Sequence, residues 1–310
     1  MFAVALGNDS VYIYDLNIEQ WLPIVLRHEF QVNINKIEWR PQSGNTIAVA
    51  CQYGICVWSI IHETRFNGNV TGMNGGQQED VDHYSPWMNY LKYKGHSPVT
   101  TITWSPDGRY LASGSNNDNA LLIWNMYDFN CNVIRRSGTI HLVAWSPNGN
   151  YLYVGTTNKV FRVWETFTWT CQKWSNLSSY CHSVSWSPDG EILAIAVNND
   201  SSFYCIAFPK QPPLIQGYFI RSDSISSYGV TTKSGIEYSV GGPIKQIAWD
   251  NTGERLVVSF VGNDSNLGND LIAVYHSKLA PFLELHPWYY FFLIIKFNCV
   301  LIFNNFIVVL

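Results

Sequence analysis

The sequence predicts an all-β fold built as a propeller of four-stranded blades, and a repeat, a hairpin pattern and the composition predict it. A Trp is followed by a Gly four or five residues later at five places, and successive Trp residues are 65, 41, 41 and 63 positions apart. A unit of 41 residues therefore recurs, in agreement with the roughly 40–45 residues of one propeller blade. The five turns are Trp39–Gly44, Trp104–Gly108, Trp145–Gly149, Trp186–Gly190 and Trp249–Gly253.

Each of these turns is followed by two apolar runs separated by a polar turn. Runs rich in β-branched and aromatic residues and bounded by Gly, Asn and Asp are typical of β-hairpins. Aromatic residues make up 15% of the chain, and its 13 Trp lie largely at the repeat positions, which favours an architectural role for them. Together these features predict a WD40-type β-propeller. The paired runs are 46–50 with 55–58, 110–113 with 121–124, 151–154 with 160–164, 192–196 with 203–206, and 255–258 with 271–275.

The first residues of the chain fall outside this regular pattern. Residues 2–15 read as the second hairpin of a blade without its Trp turn, so we expect part of an earlier blade to be missing. The prediction is therefore an incomplete ring of about five full blades and one partial first blade, over residues 1–287. Because a propeller removes its sheet edges by closing on itself, this count leaves ring closure open.

Two insertions account for the longer Trp spacings. Residues 62–94 begin with a stretch rich in Gly, Asn and acidic residues, which predicts a surface loop, and end in a predicted outer strand at 87–93. Residues 209–243 open with a Pro-rich segment that cannot continue a central strand. We expect the alternating segments near 218–220 and 236–238 to be the remaining strands of that blade. Either insertion is a solvated excursion or a partner contact.

Charge and cysteine usage limit the classes of function. The net charge of −4 and the isoelectric point near 6.0 provide no broad basic surface, so we expect no direct nucleic-acid binding. Seven Cys without a signal-peptide pattern predict a reducing compartment. Cys51 and Cys56 flank a hairpin turn and are interpreted as core thiols rather than as a disulfide or metal pair. No spacing typical of metal or cofactor ligands was found, so neither is predicted.

One unit combines His96, Ser113, Asp118 and Trp124, and this combination has two interpretations. Ser, His and Asp together are the residues of a hydrolase triad. In propellers with a Gly-His start, the same residues form a buried hydrogen-bonded network that satisfies polar groups. The structural interpretation is favoured, because no Gly-x-Ser-x-Gly pattern frames any serine. No catalytic residue is predicted.

Several segments within residues 1–287 are more specific than the general Trp repeat, above all Phe161-Arg162-Val163-Trp164 with the Trp-Thr-Cys run at 169–171. These segments resemble the aladin family of WD-repeat nucleoporins. The resemblance implies a seven-bladed propeller that acts as a non-enzymatic scaffold of the nuclear pore complex at the nuclear envelope. It also implies a role in protein import and spindle organisation. The other segments are 54–58, 95–100, 249–256 and 280–285.

The resemblance also implies partners and leaves other functions open. The expected partners are other nucleoporins, including a transmembrane nucleoporin, so membrane association is expected to be indirect. The runner-up hypothesis is a substrate-recruiting adaptor of a ubiquitin ligase. A third hypothesis is a hydrolase that uses His96 or another histidine.

The hydrophobic tail, residues 288–310, departs from the family pattern and has three interpretations. A membrane-spanning helix needs about 20 residues, but Lys296 near the middle would cost about 2.5–3.5 kcal/mol. A hairpin about Asn304-Asn305 would cover the open edge of the incomplete ring. A truncated or misread gene would explain the abrupt change in composition, and this third interpretation is favoured.

Overall fold

A computed structural model gives the fold of the chain as an all-β protein. Among the residues it describes, every regular element is a β-strand, which confirms the predicted fold class. Within this part of the chain no helix has the length and apolar character that crossing a bilayer would require. The described residues are 1–7, 9–15, 23–63, 83–135, 138–175, 177–208, 216–224, 228–231, 237–261, 271–279, 283–292, 300–303 and 306–309.

The strands form six antiparallel blades in chain order, together with two separate hairpins. The first three blades are blade 1 with β1 (Phe2–Ala5), β2 (Val11–Tyr14) and β3 (Ile24–Leu26); blade 2 with β4 (Lys36–Trp39), β5 (Thr46–Ala50), β6 (Ile55–Glu63) and β7 (His83–Leu91); and blade 3 with β8 (Val99–Trp104), β9 (Tyr110–Ser115), β10 (Ala120–Asn125) and β11 (Cys131–Arg135).

Blades 4 to 6 each contain four strands, as blades 2 and 3 do. They are blade 4 with β12 (Ile140–Trp145), β13 (Tyr151–Thr156), β14 (Phe161–Glu165) and β15 (Thr170–Trp174); blade 5 with β16 (Cys181–Trp186), β17 (Ile192–Val197), β18 (Ser202–Ala207) and β19 (Tyr218–Ser224); and blade 6 with β22 (Ile244–Trp249), β23 (Arg255–Phe260), β24 (Leu271–Lys278) and β25 (Glu284–Phe292). The hairpins are β20 (Tyr228–Thr231) with β21 (Glu237–Val240), and β26 (Val300–Phe303) with β27 (Phe306–Val309).

The repeated turn has a local chemical cause, seen most clearly between β8 and β9. The Ser105 hydroxyl donates to Asp107 Oδ1 at 2.6 Å and accepts from the Tyr110 amide at 2.9 Å. Gly108 closes the turn with φ +68°, a conformation that glycine adopts without steric cost. The same Ser-to-Asx bond recurs from Ser146 to Asn148 at 2.8 Å, so this short motif ends one strand and starts the next.

The blades pack side by side through their first strands. Residues of β4 lie beside β8, those of β8 beside β12, those of β12 beside β16, and those of β16 beside β22. These five strands therefore form the inner edge of the assembly. Five hydrophobic clusters lie between successive blades; the one between blades 2 and 3 combines Val57 with Ile102 and Leu122. The apolar cores thus belong to the blade interfaces.

Both insertions contribute a fourth strand to a blade. The predicted outer strand at 87–93 falls largely within β7, while the predicted loop at residues 64–82 lies outside the described residues. In the second insertion, β19 completes blade 5 by pairing with β18. The prediction that residues 236–238 also belong to that blade is wrong. Because β19 already fills the fourth position, β21 pairs with β20 in a hairpin of its own.

The last residues of the chain also form strands where they are described. The predicted domain boundary at residue 287 falls inside β25, which continues to Phe292 along β24. Strands β26 and β27 pair in register, with Phe303 opposite Phe306, and β26 lies near β22. Of the three interpretations of the tail, the hairpin about residues 304–305 is the one that the described strands display. Lys296 lies outside the described residues.

Candidate functional site

The structure brings together all four residues of the sequence-predicted network in blade 3. His96 Nδ1 lies 3.0 Å from Asp118 Oδ2, and His96 Nε2 lies 3.1 Å from Ser113 Oγ. The Trp124 indole N–H donates to the same Ser113 oxygen at 3.0 Å. The result is one continuous hydrogen-bonded chain from indole to carboxylate.

The sheet register explains why these side chains meet. Ser113 on β9 lies opposite Leu122 on β10, two residues from Leu111, the position opposite Trp124, so its side chain lies on the same face of the sheet as the indole and its hydroxyl comes within reach of it. His96 lies in the segment that leads into β8, and Asp118 lies in the turn between β9 and β10. The Asp118 carboxylate also accepts from the Ala120 amide at 3.3 Å, which fixes this turn.

His96 is neutral in this environment. Burial lowers the pKa of His96, and the hydrogen bond and charge of Asp118 only partly oppose this effect. A neutral imidazole with its proton on Nδ1 donates to Asp118 and accepts from Ser113 through Nε2. The Ser113 oxygen then accepts from Trp124, so this tautomer, assigned from the hydrogen-bond network, satisfies every member.

The arrangement has the connectivity of a hydrolase triad, but its burial argues against that chemistry. Ser113 is 0% exposed and His96 is 2% exposed, so a substrate cannot approach the serine oxygen without opening the blade. Trp124 also occupies that oxygen from the other side. A nucleophile needs access to its substrate as well as a neighbouring base. This geometry favours a structural role for the four residues.

Blade 2 contains a related polar contact that the sequence interpretation missed. Gln31 is fully buried, and its side-chain oxygen accepts from the Trp58 indole N–H at 2.8 Å. Its amide donates at 3.0 Å to the carbonyl oxygens of Asp9 and Leu26. Gln31 precedes Trp39 by eight residues, as His96 precedes Trp104. That shared offset is the signal that could have revealed it.

Cysteine and histidine residues elsewhere form packing contacts. Cys51 and Cys56 are free and buried, and the hydrogen bond to Cys56 together with burial raises the pKa of the Cys51 thiol. His182 Nε2 lies 2.7 Å from the carbonyl oxygen of Lys245, on the first strand of the next blade. Within the described part of the chain, no group of three or more His, Cys, Asp or Glu residues is arranged to hold a metal ion.

A cleft of about 750 Å³ opens between blades 3 and 4. It lies beside the Trp-containing turns that follow β8 and β12. The indole rings of Trp145 and Trp169 line it at 6.4 Å between centroids and 87° between planes, and the Asp107 carboxylate and the Tyr110 ring line it from blade 3. This combination of aromatic rings with one carboxylate is suited to binding a side chain from another molecule.

These features define a WD-repeat β-propeller with a buried hydrogen-bonded network and an open cleft between two blades. The family model described as the aladin seven-bladed propeller matches residues 1–296. The chain therefore belongs to the aladin propeller family, and the resemblance predicted from its sequence is confirmed. This membership supports a scaffold role of the aladin family for the chain.

Comparison with curated proteins gives the same relationship. The chain is 32% identical over 289 residues to Aladin of Arabidopsis thaliana, covering 90% of this chain and 62% of that protein. It is 27% identical over 144 residues to Protein HIRA of Zea mays, covering 43% of this chain and 14% of that protein. It is 31% identical over 103 residues to Protein HIRA of Caenorhabditis elegans, covering 33% and 10% respectively. The chain thus spans 62% of the length of the aladin relative.

Proposed function

We propose that this protein is a non-enzymatic scaffold of the nuclear pore complex at the nuclear envelope, where it supports protein import and spindle organisation. The observation that carries the proposal is the aladin propeller match over residues 1–296. The blades provide a rigid body, because hydrophobic clusters lie between each successive pair. Loops and clefts at the blade edges are then available for partners.

The proposed partners are other nucleoporins, including one that spans the membrane. In this arrangement the propeller reaches the envelope through its partner, so its own membrane association is indirect. The net charge of −4 is consistent with protein partners rather than with nucleic acid. We propose no cofactor and no catalytic residue, since the triad-like set in blade 3 is buried.

Imaging of a fluorescently tagged full chain in living cells, beside a membrane marker of the nuclear envelope, tests the location. We expect a punctate rim at the envelope, and the tag alone should give diffuse fluorescence. A diffuse signal from an intact, soluble tagged chain would contradict the pore assignment.

Co-purification after mild cross-linking separates the proposal from the alternative adaptor function. We expect nucleoporins, among them a transmembrane one, to be enriched over the tag-only control. Enrichment of ubiquitin-ligase subunits without nucleoporins would instead support a substrate-recruiting adaptor. Because both outcomes are read from the same purification, the two hypotheses are compared under identical conditions.

A further inference from the structure

The interface between blades 2 and 3 contains an arginine site that the chain fills by itself. Arg40 follows Trp39 in the turn after β4, and its Nε donates to the Gly108 carbonyl of blade 3 at 2.8 Å. Its guanidinium carbon lies 5.7 Å from the centre of the Trp104 ring, within cation–π range. The arginine therefore closes the gap between two neighbouring Trp turns.

The corresponding place between blades 3 and 4 has a tryptophan ring, that of Trp145, but no arginine. Ser105 occupies the position of Arg40, and its short side chain is bound within its own turn. Trp145 and Gly149, the counterparts of Trp104 and Gly108, both line the cleft. A Cβ on Gly149 would meet only the Pro106 ring, at 3.9 Å.

The two following interfaces are filled by side chains of the chain itself. Between blades 4 and 5, Asn148 donates to the Asp189 carbonyl at 3.0 Å. Between blades 5 and 6, Leu279 packs against the hydrophobic cluster that the two blades share, and a Cβ on Gly253 would meet both Leu279, at 2.7 Å, and Pro188 of blade 5, at 3.4 Å. The Trp rings at the filled interfaces are buried, with exposures of 2% for Trp104 and 7% for both Trp186 and Trp249. Trp145, in the open cleft, is only half-buried.

The open cleft also carries a negative charge. Asp107 is the one charged residue among the described residues that line it. Burial would raise the pKa of Asp107, but hydrogen bonds from Ser105 and Arg109 outweigh that effect and lower it, so the carboxylate is ionised at neutral pH. Arg109 contacts this carboxylate only at 3.5 Å, with 78% of its side chain exposed, so the pair is weak and exchangeable.

The buried carboxylate of Glu165 holds the turn that contains Trp169, the second aromatic residue of the cleft. Trp169 has φ +54°, which is rare for a bulky residue. Glu165 is fully buried and accepts from the amides of Phe167 at 2.8 Å and Thr168 at 2.6 Å. These bonds fix the turn that presents the Trp169 ring beside Trp145. The aromatic corner is therefore a positioned feature of blade 4.

We propose that the cleft between blades 3 and 4 binds an arginine side chain presented by a partner protein. The proposal rests on the scaffold function and names the chemistry of one of its contacts. The guanidinium stacks against Trp145 and Trp169 as Arg40 does against Trp104, and pairs with Asp107. The Gly149 carbonyl already accepts from Trp145 Nε1 at 3.3 Å and Thr166 Oγ1 at 2.6 Å, so the carboxylate is the principal acceptor.

Titration of the purified full chain with two peptides tests the proposal. The probes are an acetylated and amidated Gly-Gly-Arg-Gly-Gly peptide and its counterpart with neutral citrulline, followed by tryptophan fluorescence and calorimetry. We expect saturable binding of the arginine peptide and binding at least about fivefold weaker for citrulline. Equal affinities, or no saturable binding of the arginine peptide, would overturn the proposal.

Matched variants locate the binding. Asp107→Asn should weaken binding of the arginine peptide at least about fivefold, and it should fold because Asn148 occupies the same turn position in blade 4. Asp189→Asn, in the blade 5 turn outside the cleft, is its control.

Trp169→Asn should weaken binding of the arginine peptide similarly. Phe129→Asn is its control, because Phe129 has φ +57° in the matching turn of blade 3. Unchanged affinity in Asp107→Asn, or equal losses in the control variants, would contradict the site.

These measurements separate the cleft from the proposed function. Loss of nuclear-rim localisation with intact peptide binding would contradict the pore assignment alone. Absence of peptide binding with a normal rim would contradict the arginine cleft alone.

Discussion

Blades 2 and 3 provide a hydrogen-bond acceptor for a buried indole N–H in different ways. Each buries a tryptophan on its third strand, Trp58 or Trp124, and each must satisfy the indole N–H. Blade 2 uses Gln31 directly, and the buried Val49 occupies the strand position that Ser113 has in blade 3. Blade 3 inserts a serine and a histidine between the indole and a carboxylate. The triad-like residues of blade 3 thus satisfy a buried indole N–H, which blade 2 satisfies without ionisable groups.

The sheet registers identify the residue that each complete blade has at the position of Ser113. Ser113 stands two residues after Leu111, the partner of Trp104, and the corresponding positions in the other four complete blades are aliphatic and buried. Blade 3 is therefore the exception among the five four-stranded blades. The four counterparts are Val49, Val154, Ile195 and Val258.

The largest effect is expected from Ser113→Val, which gives blade 3 the residue type of blade 2. Valine leaves His96 Nε2 and Trp124 Nε1 buried without a partner, at about 1–3 kcal/mol each, so the free energy of unfolding should fall by about 2–5 kcal/mol. Urea denaturation followed by tryptophan fluorescence measures it. An unfolding free energy equal to that of the unchanged protein would contradict the network.

The double variant His96→Gln with Ser113→Val sharpens the same comparison. It reconstructs the Gln–Trp contact of blade 2 within blade 3, so it should recover part of the stability lost in Ser113→Val. A double variant less stable than Ser113→Val alone would show that the two blades are not interchangeable in this way.

A smaller loss is expected when blade 2 is broken. Gln31→Leu removes the acceptor of the Trp58 indole, and it should lower the unfolding free energy by about 1–3 kcal/mol. The half-buried Gln52 provides a control in the same blade, and Gln52→Leu should have the smaller effect. Equal losses in the two variants would argue against a specific role for the Gln31–Trp58 bond.

A further difference between the blades concerns one methyl group. Gly114 follows Ser113, whereas blade 2 has Ala50 at that position. A Cβ at Gly114 would overlap with Ile140 Cγ2 of blade 4, so Gly114→Ala should cost about 1–3 kcal/mol through overpacking. Gly44→Ala is the control, because nothing lies within 4 Å of its Cβ. Thermal unfolding that ranks Gly44→Ala as the less stable variant would contradict the packing described for this interface.

The smallest effect is a pH dependence that the His96 network of blade 3 has and the Gln31 contact of blade 2 lacks. Because the pKa of His96 is lowered in the fold, the unfolded chain binds a proton first as pH falls. The stability from neutral His96 is therefore complete above about pH 6.5, the ordinary histidine value, and is lost as pH falls through the lowered pKa. The double variant should lose less stability than the unchanged protein over this window, by at most about 1.4 kcal/mol per pH unit. Burial also lowers the pKa values of His141 and His182, but both histidines are present in both proteins. Parallel pH curves would therefore contradict the assignment to His96.

The parts of the fold that local chemistry determines could be predicted from the sequence. The Trp turns depend on a serine, an Asx residue and a glycine within five positions, and the His96 set depends on a Gly-His start and an Asp in a short turn. The remaining features depend on distant contacts. Gln31 meets Trp58 across 27 positions, and the cleft exists because Ser105 is too short to cross to the next blade. The separate β20–β21 hairpin follows from β19 having already completed blade 5.

We propose that the polar set in blade 3 maintains the fold, while function resides in the contact surfaces of the blades. Nuclear-rim localisation of the tagged His96→Gln, Ser113→Val double variant tests it most directly, with the unfolding midpoint measured on the same protein. We expect a rim equal to that of the unchanged chain. Loss of the rim in a double variant that unfolds at nearly the original midpoint would contradict it.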